Sequence, residues 1–261
     1  MSTCDCFRGT PGGPYDPRGT FQSRNGLKVY ISEVATKVDV KGELLFIPDA
    51  FGLATHNLEL ADEYAAQGFR TTIVDYLEGD GLPEAVMRYA PGTDITTYGF
   101  TDKEIESIQK LDMDAWLKAH NSKKNFSILD RFYPDYRHGL PHGVKLFTLA
   151  HCLGGGAAFK LAKGNDITAA IVMHPSFFPG DVSKDLIQPV FVGLAESDVF
   201  TPDLINDILT SSKSWKGAYK ISVYGGTVHG FASRADKTDE NAMRNLRASF
   251  KDSVDFIESF L

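Results

Sequence analysis

A chain of 261 residues with 43% hydrophobic content can bury a full core, and its length suits one large α/β domain. A formal net charge of −7, with no Lys/Arg run and no interleaving of basic and aromatic residues, argues against a nucleic-acid partner. No apolar run approaches transmembrane length, the polar start MSTCDCFRGTPGG is unlike a signal peptide, and three cysteines are too few for a disulfide scaffold, so a reducing, cytoplasmic setting is expected.

Residues 1–24, rich in Gly and Pro, are expected to wrap the domain as a loop. In that loop Cys4 and Cys6 form a C-x-C without the second pair a zinc site needs. The turn Arg24-Asn25-Gly26 introduces an edge strand, LKVYISE, and Glu43–Pro48 is the first buried strand. Asn57–Gln67 has helical periodicity and is closed by Gly68; Phe69–Tyr76 is the next strand. This β-α-β spacing implies a parallel sheet with right-handed crossovers. Residues 78–143 form an irregular and helical excursion, a length that often builds lids or binding walls. Within it Thr101–His120 reads as one helix opened by a Thr101/Glu104 capping box, and 121–143 as polar and broken, with another helical turn at Asn125–Tyr133 as an option. After Leu146–Ala150 come strands at Ala169–Met173, Pro189–Ala195 and Tyr219–Tyr224, and helices at Pro202–Ser212 and Asn241–Leu261. One doubly wound, mostly parallel sheet with helices on both faces is the expected architecture.

The stretch KLFTLAHCLGGGAAF, from Lys145 to Phe159, reads as strand, sharp turn, helix. Cys152 stands at the turn and is followed by Gly154, Gly155 and Gly156. Small neighbours are what a nucleophile held at strained backbone angles requires, and the helix N-terminus beside it favours a thiolate. A lone cysteine in a glycine-rich loop is ordinarily a buried structural residue, and three consecutive glycines fit neither phosphate-loop spacing. The downstream sequence separates these readings. Asp49, Cys152, Asp198 and His229 each follow a predicted strand, where ligands of open parallel sheets bind. The order nucleophile, acid, histidine matches a triad in which Cys152 attacks a carbonyl, His229 carries the proton and Asp198 orients the imidazole. Backbone amides of Leu153 and Ala50 would hold the oxyanion. Glu196 competes with Asp198 as the acid. His151 and His174 compete with His229, and His174 is also placed to line the pocket.

Those blocks, Pro48-Asp49-Ala50-Phe51-Gly52, the turn at Cys152, Gly193 through Asp198 to Pro202, and His229-Gly230-Phe231, resemble the dienelactone hydrolase (carboxymethylenebutenolidase) family, in its eukaryotic, fungal-type branch. The resemblance covers the chain from about residue 25 to the end and loosely before it, through Cys4, Cys6, Gly9 and Gly12. It implies an α/β-hydrolase fold and a cofactor-independent enzyme that opens lactone or small ester bonds with Cys152, Asp198 and His229. It also implies a carboxylate near the nucleophile that gates its ionisation, here Asp49 where the bacterial enzymes carry Glu. The family's two carboxylate-binding arginines have Arg234 and Arg88 as candidates here, against the alternative of solvated surface arginines, and His174 and Phe51 are further substrate-binding candidates. Ala150 stands where Gly is usual, and Arg234 lies one residue further from His229 than in the bacterial pattern. A thioesterase or general carboxylesterase on the same triad, or a non-catalytic binder of a small molecule, are the alternatives. A monomer or homodimer, with no nucleic-acid or membrane partner, completes the expectation.

Overall fold

The structure is a computed structural model that describes residues 7–176, 180–199 and 202–261. Eight strands form one sheet in the order β1-β2-β4-β3-β5-β6-β7-β8: β1 (Thr20–Arg24), β2 (Leu27–Ser32), β3 (Gly42–Ile47), β4 (Phe69–Val74), β5 (Leu146–His151), β6 (Ala169–Met173), β7 (Val190–Ala195) and β8 (Tyr219–Tyr224). The pairs β1/β2 and β2/β4 are antiparallel, and every pair from β4 to β8 is parallel. Strands β3, β5, β6 and β7 are buried at every position, as a sheet covered on both faces demands of its apolar runs.

Helices α1 (Thr55–Ala66) and α8 (Glu240–Glu258) cover one face. The other carries α2 (Asp102–Lys110), α3 (Met113–Ala119), α4 (Ser122–His138), α5 (Gly155–Ala162) and α7 (Pro202–Ser212), with a single turn, α6 (Glu196–Val199), at the end of β7. The chain leaves β3 towards β4 on one side and later returns to lay β5 on the other. The direction of winding therefore reverses between β3 and β5, and their carboxyl ends, at Asp49-Ala50 and Cys152, flank that switch point.

Three expectations need correction. The edge strand is β1, inside the segment expected to be loop, and it turns into β2 through Asn25 (φ 52°) and Gly26 (φ 77°), the two left-handed residues a tight hairpin needs. The helix expected over 101–120 is two. Asp112 accepts a hydrogen bond from the Ala115 amide and starts α3 afresh, while the Thr101/Glu104 capping box opens α2 as expected. The segment 121–143 holds the 17-residue helix α4, with Asn121 as N-cap and Pro134 in its interior. An interior proline costs about 3 kcal/mol. Ile128, Leu129, Phe132, Tyr133 and Tyr136 are buried along one stripe of α4, and at ~1.5–3 kcal/mol for a large apolar side chain that face outweighs the break.

The turn after β5 depends on missing side chains. A Cβ at Gly154 would lie 2.5 Å from the Ile47 carbonyl oxygen at the end of β3, and one at Gly155 would lie 2.9 Å from Pro175 Cβ. Gly154→Ala is expected to lower stability by about 1–3 kcal/mol in urea denaturation, the usual cost of overpacking. An unchanged midpoint would show that the turn tolerates separation from β3.

Candidate active site

Cys152 has φ 51°, the left-handed conformation rare in a residue with a side chain, and it is buried where β5 passes through a 3-10 turn (Cys152–Gly154) into α5. Leu153 lies in the first turn of that helical run, where amides have no intrahelical acceptor. The Ala50 amide likewise finds no acceptor among the described residues, while the Ala50 carbonyl accepts from Leu82 N at 2.8 Å. Both amides border the switch point that holds the sulfur.

His229 arrives on the loop after β8 and Asp198 on α6 after β7. Their positions are locked because the two loops are stitched together: Ser197 N donates to the Thr227 carbonyl (3.1 Å), Glu196 N to Thr227 Oγ1 (3.2 Å), and His229 N to Ser197 Oγ (3.1 Å). His229 Nδ1 then lies 3.1 and 3.0 Å from the two carboxylate oxygens of Asp198. Glu196 instead accepts from Gly226 N at 2.8 Å, so the partner of the imidazole is Asp198. The remaining nitrogen, Nε2, is buried without a hydrogen bond of standard geometry, beside the Cys152 sulfur. Burial opposes a charge on His229, but the Cys152 sulfur and the bond to Asp198 prevail and push it up to about 9. Burial likewise opposes a thiolate, yet the neighbouring His229 imidazolium holds the Cys152 thiol below its ordinary value. The two groups thus shift each other in opposite directions, the thiol down and the imidazole up.

Asp49 and Arg234 meet in a fully buried ion pair. Asp49 Oδ2 accepts from Arg234 Nη1 (2.7 Å) and faces His56 Nε2 (3.1 Å), while Oδ1 accepts from Asn57 Nδ2 (2.9 Å) and Phe51 N (3.1 Å). Burial opposes the carboxylate, but His56, Arg234 and Asn57 together hold its carboxyl well below the usual range. With its oxygens so engaged, Asp49 makes no hydrogen bond to Cys152, although it lies near enough for its charge to oppose the thiolate. Arg234 Nε donates to the Arg8 carbonyl (3.1 Å), and its guanidinium lies over the Phe51 ring at 5.3 Å. Gly9 and Gly230 are required here, since a Cβ on either would fall within 3 Å of Arg234 side-chain atoms.

The other expected residues are placed differently. Arg88 pairs with Glu104 at 2.7 Å over the Phe100 ring, and none of its contacts is with Cys152, Asp198 or His229. His174 is fully buried in a row of imidazoles, its ring 4.9 Å from His229 and 5.0 Å from His151, and it also packs on Phe231. Burial pushes His151 down to about 3 and His174 well below its ordinary value, opposite in direction to the shift of His229. Sequence reasoning passed over Ser176, whose hydroxyl lies 3.2 Å from Cys152 Sγ, and the pair His56 and Asn57 that completes the Asp49 cage. Among the described residues no group of three His, Cys, Asp or Glu is arranged to hold a metal ion, and no helix is long and apolar enough to cross a membrane. Cys4 and Cys6 lie outside the described residues.

The family model described as "Dienelactone hydrolase family" matches residues 30–261. The chain belongs to the dienelactone hydrolase family. A curated relative in the family, "Dienlactone hydrolase 1" of Gibberella moniliformis, is 25% identical over 254 residues, covering 94% of this chain and 89% of its own. "Hydrolase pyvD" of Aspergillus violaceofuscus is 24% identical over 248 residues, covering 94% and 92%. Among solved structures, a putative dienelactone hydrolase from Klebsiella pneumoniae shares the fold with a TM-score of 0.62, at 16% identity over 91% of this chain and 97% of its own. The sheet and its helices are thus those of the α/β-hydrolase fold. Membership of the dienelactone hydrolase family makes the chain an enzyme of the carboxylic ester hydrolase class.

Proposed function

We propose that the chain is a cytoplasmic hydrolase that opens small lactones or esters with Cys152 as nucleophile, His229 as proton carrier and Asp198 as its orienting acid. One observation carries the reading: a buried cysteine at a left-handed strand-to-helix turn, beside an imidazole whose other nitrogen lies on an aspartate. The thiolate attacks the carbonyl carbon, and the amides of Ala50 and Leu153 take the oxyanion. The carbon–oxygen bond to the leaving group breaks as His229 delivers its proton to that oxygen, leaving a thioester on Cys152. Neutral His229 then takes a proton from water as it attacks the thioester, and release of the carboxylate product restores the thiolate–imidazolium pair.

A thiolate expels activated leaving groups well, which suits lactones, enol esters and aryl esters better than amides. The Arg234 guanidinium is engaged by Asp49 and the Arg8 carbonyl, so a substrate carboxylate would compete with a buried partner; this favours uncharged substrates. The partner is thus a small molecule, met by a monomer or homodimer.

The reading is tested by trapping. Protein mixed with an aryl acetate and quenched in acid is expected to show, by peptide mass spectrometry, one acetyl group on the peptide bearing Cys152. Turnover of the ester with the acyl group on another residue, or with none, would overturn it.

A further inference from the structure

We infer that Ser176 is a positioning residue for the nucleophile, its hydroxyl donating a hydrogen bond to the Cys152 sulfur and holding it as a thiolate in the free enzyme. The inference rests on the triad reading above. Both side chains are buried, with Ser176 Oγ 3.2 Å from Cys152 Sγ, and the hydroxyl has no other partner among the described residues. The backbone makes the contact reproducible: Ser176 N donates to the Cys152 carbonyl at 3.1 Å, so the residue is hung on the nucleophile itself. Two features bring it there. His174 N donates to the Gly193 carbonyl at 2.7 Å and the chain turns at His174 with φ 38°, a conformation that redirects the segment leaving β6. Pro175 then occupies the space that the absent Gly155 side chain leaves open. The glycine run after Cys152 thereby serves the approach of β6 as well as the turn itself.

The chemistry gives this bond a direction. A thiolate accepts a hydrogen bond from a hydroxyl strongly, and a thioester sulfur accepts one weakly. The Ser176 bond therefore belongs to the free enzyme and weakens when sulfur is acylated. It complements the charge of His229 from the β8 loop. The other ionisable groups facing the sulfur are Asp49, which opposes the thiolate, Arg234, which favours it, and Tyr76, whose hydroxyl donates to the Pro48 carbonyl at 3.0 Å. None of them is altered by a change at position 176.

The test is alkylation of Cys152 by iodoacetamide in the full chain, followed by mass spectrometry from acid to alkaline pH, for the wild type, Ser176→Ala and Ser176→Thr. In Ser176→Ala the rise of the rate with pH is expected to move up by roughly one pH unit, the size of one hydrogen bond to a charged group. Its alkaline plateau is expected to be about threefold faster, because a more basic thiolate is the better nucleophile. Ser176→Thr keeps the hydroxyl and is expected to return the profile towards the wild type. An Ala profile superimposed on the wild type, or an equal shift in Ala and Thr, would overturn the inference. Retention of ester turnover by Cys152→Ala would sink the triad reading instead, and the alkylation profiles would still decide the role of Ser176.

Discussion

Cys152→Ala is expected to lower ester turnover by on the order of 10⁴-fold or more while the protein remains folded, since the residual rate of a disabled triad comes from the oxyanion hole and binding alone. His229→Ala is expected to match it, and Asp198→Ala to fall short of both, because the acid only orients an imidazole already held by the loops around Thr227. A non-catalytic binder gives the opposite pattern, with no turnover in any form and ligand affinity unmoved by Cys152→Ala. The variant also has an electrostatic signature. His229 titrates at about 9 against an ordinary value of 6.5, and the Cys152 sulfur is a main cause of that rise. A group raised in the folded state contributes stability that is fully present below its unfolded value and is lost as pH rises through the folded one. Between 6.5 and about 9 the wild type therefore loses a stabilising term that Cys152→Ala should largely lack. An imidazole resonance of His229 that still titrates at about 9 in Cys152→Ala would contradict the ion-pair account.

Arg234→Ala is expected to be the most damaging single change to stability, at about 3–5 kcal/mol in chemical denaturation, the typical cost of leaving one member of a buried ion pair alone. Asp49 would keep His56, Asn57 and the Phe51 amide, but would lose the one fixed positive charge in its cage. Its carboxyl is held well below the ordinary 3.8, so the stability it contributes is present above that value and disappears as pH falls towards the folded one. Without the arginine the folded value rises, and acid unfolding is expected to begin at higher pH. The same variant separates support from substrate binding. Hydrolysis of a carboxylate-bearing ester and of its neutral analogue should fall together; selective loss on the charged ester would assign Arg234 to the substrate after all.

The parallel strands were legible because burial on both faces forces unbroken apolar runs such as ELLFI and VFVGLA. Strand β1 was not, since TFQSR is exposed on both sides and has no apolar face to display. Helix α4 was hidden by Pro134 and by a polar surface, and only its packing against the sheet reveals why it persists. At the site, placement after a strand end sufficed to single out Cys152, Asp198 and His229 as residues that the fold brings close together, because topology gathers strand ends on one side of the sheet. Which charge pairs with which was not legible. Arg234 and Asp49 are 185 residues apart, and no local pattern tells a guanidinium whether its partner is a substrate or the protein. Ser176 was not legible at all, since its reach to the sulfur depends on the backbone reversal at His174.

The clasp of the Arg8 carbonyl on Arg234 spans 226 residues of chain. A chain emerging from the ribosome can pair β3 with β4 early, but Asp49 stays without its arginine, and Cys152 without its imidazole, until the segment after β8 has been made. Contacts of such long range are formed slowly, because loop closure must precede any gain from them. Closure of the Asp49 cage and the approach of His229 to Cys152 thus both depend on the segment that follows β8.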